Sequence, residues 1–317
     1  MIANIRIGNK LLCMLVLMMF STVSLAQSDK EIQTAEYFFR NKEYDKAAEL
    51  YERFFEKSQN KFYYQQLLTS YIKLERYRDA NRLVERQMKK EPKNINLYVD
   101  LGYVYLCEGK KSKAEKAFAK AIEKMNPNTQ QISSLASAFE NVELYHYAIE
   151  TYLAARKKMN NNNQFFVFEI ATLYEKSGRY DDMMREYLDF LELNPAMKSQ
   201  MQVFLQRSMT QTDNPKLVES LRNSLVARLQ KSPNNATLLD MMIWFSVQQK
   251  DFDFAFKQAK AVDMRFPEGN AEQVYKVASI AKSNDVYDVA IQGYNYIIKK
   301  GNDNPYYIKS RVELLGV

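Results

Sequence analysis

The chain has 317 residues and a formal net charge of +7 at neutral pH. It holds one histidine, two cysteines and eight glycines, which excludes a two- or three-histidine metal site, a four-cysteine zinc site and a glycine-rich phosphate loop. Hydrophobic residues at 46% and charged residues at 26% describe a globular chain, so the sequence speaks more to architecture than to a reaction.

Residues 1–26 read as a secretory signal peptide. Arg6 and Lys10 supply a positive start with no acid, Leu11 to Phe20 is an unbroken apolar run, and Ser24 and Ala26 place small residues before Gln27. As a helix that run rises only about 15 Å, against a hydrocarbon core of about 30 Å, so no transmembrane span is expected once the leader is removed. Cys13 follows Leu12 at the start of the run and lacks the small residue ahead of it that lipidation needs. The expected location is therefore outside the cytoplasm, in the periplasm or cell envelope. Cys107 is then the one remaining cysteine, either a buried thiol or an intermolecular partner.

From residue 27 onward one pattern recurs. Ala47, Ala80, Ala114 and Ala148 are separated by 33, 34 and 34 residues. The third copy reads Tyr98, Leu101, Gly102, Tyr105, Gly109, Ala114, Phe118, Ala121 and Pro127. Its neighbours keep the register with Tyr64, Leu67, Leu68, Tyr71 and Val84, with Ile132, Leu135, Ala136, Phe139 and Tyr152, and with Val167, Ile170, Ala171, Tyr174 and Tyr187. Apolar residues at i, i+3 or i+4, and i+7 form one helical stripe. Small residues at the eighth and twentieth positions let two helices approach closely, and an aromatic at the eleventh fills the wedge between them. Gly109 and Gly178 fall where the chain reverses and positive φ is useful. No single copy can bury its stripe alone, so neighbours must stack.

This pattern resembles the tetratricopeptide (TPR) repeat family. The resemblance implies an all-α fold, a right-handed superhelical solenoid of antiparallel helix pairs with about eight repeats. Residues 27–197 hold five regular repeats. Residues 198–304 read as three degenerate ones, with Leu221 and Leu225, then Ala255 and Ala259, then Ala290 and Tyr294 in step. Residues 305–317 read either as a capping helix or as the first helix of a further repeat; Leu314, Leu315 and Val317 suit solvent poorly and favour the second reading.

In that family the first helix of each repeat lines a concave groove. The resemblance therefore assigns to a groove Phe62, Gln65 and Thr69; Asn96, Val99, Tyr103 and Cys107; Gln130, Ser133 and Ser137; and Phe165, Phe168 and Thr172. Such a groove is neutral, aromatic and hydrogen-bonding, and suits an extended or helical peptide. The same aromatics also suit packing against neighbouring turns. The family's charged variant, which clamps a C-terminal carboxylate, needs asparagines and lysines where this chain has Glu36, Thr69 and Tyr103.

The basic balance does not point to nucleic acid. Lys89-Lys90, Lys157-Lys158 and Lys299-Lys300 each close a second helix, where cations oppose the negative helix end for about 0.3–1 kcal/mol each. His146 has no catalytic neighbourhood in the sequence. Trp244 sits among Met241, Met242, Ile243 and Phe245, which predicts burial, and Phe252, Phe254 and Phe256 read as a turn feeding a helix. The expected function is a non-enzymatic exported scaffold that binds a protein or peptide partner, with no cofactor, metal or catalytic residue. Two alternatives stand beside it: a glycan-binding module that uses Tyr103, Phe165 and Phe168, and a peptidoglycan-cleaving solenoid enzyme. The latter needs a carboxyl group of raised pKa in a pocket, with Glu140 and Glu175 as candidates.

Overall fold

The computed structural model describes residues 30–160, 164–212 and 214–316, so the signal-peptide reading of residues 1–26 lies outside the described residues. Among them there is no strand. The chain divides into two compact lobes, the first ending at Tyr147 and the second beginning at Ala148. The first lobe holds α1 (30–40), α2 (Tyr44–Ser58), α3 (Lys61–Lys73), α4 (Tyr77–Lys90), α5 (Leu97–Cys107), α6 (Lys111–Lys124) and α7 (Thr129–Glu140). Helix α8 (Tyr145–Lys158) starts in it. The second lobe continues with α9 (Val167–Lys176), α10 (Tyr180–Leu193), α11 (Lys198–Thr212), α12 (Pro215–Lys231), α13 (Ala236–Gln248), α14 (Phe252–Arg265), α15 (Glu272–Ser283), α16 (Tyr287–Lys299) and α17 (Tyr307–Leu314). Short 3-10 turns, Pro195–Met197 and Pro267–Gly269, precede α11 and α15. Odd-numbered helices are the first, and even-numbered the second, of successive pairs. The result is the all-α solenoid of tandem helix pairs that the period predicts.

The reversal inside each pair has one design. Counted from Ser28, Lys61, Ile95, Thr129, Gln164, Ala236 and Ala271, the fifteenth residue always takes positive φ. Lys42, Glu75, Gly109, Glu143, Gly178, Lys250 and Asp285 lie between 57° and 81°. The next residue donates its N–H to the carbonyl of the eleventh, as Arg76 does to Tyr71 and Lys110 to Tyr105, both at 2.8 Å. This is the Schellman end of a helix, in which a left-handed residue satisfies carbonyls that would otherwise be orphaned. Only two of the seven residues are glycine. The rest carry a left-handed cost of roughly 1 kcal/mol each, which the turn's hydrogen bonds and packing offset. In two repeats an arginine adds a lid: the guanidinium of Arg76 lies 4.6 Å from the Tyr71 ring centre, and that of Arg179 lies 4.6 Å from Tyr174. Several first helices start on a side-chain cap. Asn60, Asn128 and Asn235 accept from the backbone N–H of Phe62, Gln131 and Leu238 at 2.7–3.1 Å.

Packing follows the repeat. The twentieth residues Ala47, Ala80, Ala114, Ala148, Met183, Ala255 and Ala290 are all fully buried. Where the eighth residue is Gly102, a Cβ would lie 2.2 Å from Phe118, itself buried and packed on Phe139 and Tyr147. In the eighth repeat the same close approach is made from the other side, with Gly293 against Ala278. In α17 the equivalent apolar positions Ile308, Val312 and Leu315 are exposed. Phe252 opens α14 and is buried, Asp251 caps the helix by accepting from Phe254, and Trp244 is half-buried on α13.

Buried charge in the second lobe is paired. The Arg156 side chain, 5% exposed, donates two bonds to Glu186 at 2.7 and 3.1 Å and one from Nε to the Phe165 carbonyl at 2.8 Å. Asp263, equally buried, accepts from Tyr296 at 2.7 Å and from Lys300 at 2.5 Å. Asp240 accepts from Gln273 at 2.9 Å and from Lys198. Lys300 is thus an ion-pair partner as well as a helix-end cation.

Candidate functional site

The first helices α3, α5 and α7 present the side chains assigned to a groove, with some departures. On α3, Phe62 and Gln65 are exposed and Thr69 is half-buried; Phe62 is 44% exposed and its edge rests on Tyr51 and Tyr63. On α7, Gln130 and Ser137 are exposed and Ser133 is half-buried. Asn96 immediately precedes α5 and reaches across to α7, donating to the Ser134 hydroxyl at 2.7 Å.

Val99 does not belong to this face. It is 1% exposed, part of the core. Helix α5 begins only at Leu97, and the outward row is Asn96, Asp100, Tyr103 and Cys107, spaced by four, three and four residues. Tyr103 and Cys107 are half-buried neighbours on this row; the Tyr103 hydroxyl and the Cys107 thiol are hydrogen-bonded, and burial raises the pKa of both.

In the second lobe Phe165 is 40% exposed, in a segment held by Arg156. Thr172 is exposed and its hydroxyl donates to the Phe168 carbonyl at 2.7 Å. Phe168 is half-buried, with its ring among Phe204, Phe190 and Tyr187 at 4.7, 5.7 and 6.0 Å. It packs neighbouring helices together, the alternative that its spacing had left open.

Gln65, Asn96 and Ser137 converge on a cavity of about 320 Å³ bounded by α3, α4, α5, α7 and the segment after α4. Half-buried Asp100 lines it too, a residue that the repeat template passed over. The Tyr64 hydroxyl donates to Asp100 Oδ2 at 2.9 Å. Burial pushes the Asp100 carboxyl up to about 6, against the opposing pull of hydrogen bonds from Tyr64 and Gln65 and the charge of Lys61. Burial, with Asp100 adding to it, likewise pushes the Tyr64 hydroxyl up. Around the wall, Gln87 donates to Glu91 at 2.6 Å and Asn94 to the other Glu91 oxygen at 2.7 Å. The groove reading of a neutral face is therefore incomplete, because two carboxylates, Asp100 and Glu91, and Lys61 line the cavity. A signal for Asp100 was present: it is the one charged residue in the helix LYVDLGYVYLC.

Among the described residues no cluster of three or more histidine, cysteine, aspartate or glutamate side chains could hold a metal ion, and no helix is long and apolar enough to cross a membrane. His146 is exposed and lies against Tyr147. Glu140 and Glu175 are half-buried on separate helices.

No protein-family model matches the sequence. Over 289 residues the chain is 25% identical to a TPR repeat-containing protein of Methanocaldococcus jannaschii, a match that takes in 87% of this chain and 50% of that one. The chain thus spans half the length of the curated relative it matches. Similar solved structures include the C-terminal part of a TPR repeat-containing protein from Cytophaga hutchinsonii, at 15% identity and a TM-score of 0.30, over 88% of this chain and 98% of that one. Yeast Tom70 is similar at 15% identity and a TM-score of 0.30, over 91% of this chain and 72% of that one.

Proposed function

We propose that this chain, whose 34-residue helix pairs with alanine-pinned crossings are similar to tetratricopeptide repeats, is an exported, non-catalytic scaffold that holds a protein or peptide partner against the face formed by α3, α5 and α7. The fold is one typical of protein–protein interaction. The observation that carries the proposal is the polar cavity on this face, open to the exposed groups of Gln65 and Ser137. The pattern of residues 1–26 supports export to the periplasm or cell envelope.

A second reading has one observation in its favour. Asp100 is a carboxyl group of raised pKa in a pocket, which a glycan-cleaving enzyme needs as its acid. The second carboxyl group such an enzyme needs is Glu91, and both of its oxygens are engaged by Gln87 and Asn94. Binding therefore accounts for the pocket better than hydrolysis does.

The test is photo-crosslinking in the native host, with the reactive residue placed at Gln65, at Gln130, or at Lys116 on α6. The expected result is capture of one envelope protein from Gln65 and Gln130 but not from Lys116. Capture from Lys116 alone would move the interface to the second helices, and no protein captured would favour the glycan and enzyme readings. Export is checked separately by sequencing the N-terminus of the purified mature chain. A start at Gln27 is expected, and an uncleaved chain in the cytoplasmic fraction would overturn this part.

A further inference from the structure

The cavity on the docking face also carries information about what enters it; this step rests on the reading just given. Among the described residues that line it, the one buried side-chain atom without a partner is an acceptor, Gln87 Oε1, and Lys61 at the rim is exposed. The hydrogen bonds that Asp100 receives come from Tyr64, at 2.9 Å, and from Gln65, both uncharged. Lys61 acts on it through space, and no ion pair to Asp100 forms among the described residues. Gln87 lines the same cavity and is 8% exposed; its Nε2 donates to Glu91, and its Oε1 has no partner. A buried carboxylate is ordinarily matched by a cation, and a buried amide oxygen by a donor. Asp263 in the second lobe shows this chain meeting a buried carboxylate with a cation, Lys300, beside Tyr296, both on Oδ2.

One kind of group answers both acceptors. It must bring positive charge for Asp100 and more than one N–H donor, so as to reach Gln87 as well. It must also be small, since about 320 Å³ lies at the lower end of the roughly 300–1,000 Å³ range of ligand pockets. We infer that this cavity is a subsite for a guanidinium or ammonium group, carried by an arginine or lysine side chain of the bound peptide. Guanidinium fits the requirement better, because its five donors diverge in a plane while ammonium offers three from a point. The subsite would select a basic residue at one position of the partner, while Gln65, Asn96 and Ser137 hold the backbone around it.

The test uses calorimetric titration of the full chain at pH 7.5 with three probes: a blocked Ala-Ala-Arg-Ala-Ala peptide, the same peptide with citrulline for arginine, and free L-arginine. Citrulline keeps the shape and removes the charge. The arginine peptide is expected to bind about tenfold or more tightly than the citrulline peptide, the scale of a charged hydrogen bond. Asp100→Asn is expected to abolish that preference with the far-ultraviolet spectrum unchanged, and Gln87→Met to weaken arginine binding without affecting citrulline. Free arginine binding as tightly as the peptide would assign the same subsite to a small ligand, and much weaker binding would assign it to a peptide. Equal binding of the arginine and citrulline peptides, a preference that survives Asp100→Asn, or no binding of any probe at about 10 mM would each overturn the inference. The two proposals fail separately. If capture from Gln65 persists unchanged in Asp100→Asn cells, docking stands and the cation subsite falls. If arginine binds but nothing is captured, the subsite stands and docking falls.

Discussion

Asp100 in the first lobe is matched differently from the buried charges of the second. In the second, Arg156, Asp263 and Asp240 each meet an oppositely charged side chain, and the helices they join are held at that point. In the first, Asp100 meets only hydroxyl and amide donors, beside a cavity and an unpartnered amide oxygen. The same repeat accommodates both. A paired buried charge is a structural device that fixes how helices meet; an unpaired one costs stability and is explained by something that binds there.

The largest break in this comparison is on the paired side. Arg156→Met removes both bonds to Glu186 and the one to the Phe165 carbonyl, leaving Glu186 as an uncompensated, mostly buried charge. A loss of about 3–5 kcal/mol is expected in denaturant unfolding. A loss below about 1 kcal/mol would mean that the pair contributes little.

Packing at the crossings gives the next largest effect. Gly102→Ala places a Cβ 2.2 Å from Phe118, which is enclosed and cannot swing away, and a cost of about 1–3 kcal/mol is expected. In the second lobe, Gly293→Ala meets Ala278 at 2.7 Å. Methyl against methyl relaxes more readily than methyl against a fixed ring, so its cost should be the smaller of the two. The reverse order in melting temperature would contradict this account of the crossings.

The smallest effect has the opposite sign and a pH dependence. Folding raises the Asp100 pKa from 3.8 to about 6, so the folded state holds the proton more tightly than the unfolded one. Stability from this group is therefore greatest below about pH 4 and is lost as pH rises through about 6. The charged and titratable groups facing it are Lys61 and Tyr64 from α3 and Glu91 after α4; α7 contributes only Ser134, Ser137 and Asn141. Asp100→Asn should raise stability at pH 7.5 by about 1–2 kcal/mol, after discounting for solvent screening of a half-buried group, and the gain should vanish near pH 4. A variant less stable than the parent at pH 7.5 would show that Asp100 supports the fold rather than burdening it.

How much of this was legible varies with the residue. The alanine spacing at Ala47, Ala80, Ala114 and Ala148 made the helix pairs readable, because a crossing that tolerates no side chain beyond a methyl repeats with the period. The reversal was legible only at Gly109 and Gly178. Lys42, Glu75, Glu143 and Lys250 make the same left-handed turn with side chains that carry no such mark, because hydrogen bonds on both sides force the conformation. The outward face was legible on α3 and α7 but not on α5. There the helix begins late, and the template's fifth position, Val99, rotates into the core while Asp100 turns outward. The cavity itself could not be read from any one repeat. Its wall comes from the residue after α2, from α3, α4, α5 and α7 and from the segment after each of α4 and α7, residues as far apart as Gln59 and Val142.

Trp244 is the chain's one tryptophan, and it lies half-buried on α13 in the second lobe. Its emission is therefore a built-in reporter of one half of the molecule, and the surroundings of Asp100 are silent in that channel. In a protein whose contacts run mainly between neighbours, unfolding need not be a single event. Heating the chain while recording tryptophan emission and far-ultraviolet ellipticity together turns this asymmetry into a gauge. Coincident curves define one cooperative block, and the interval between separated curves measures how far one lobe outlasts the other.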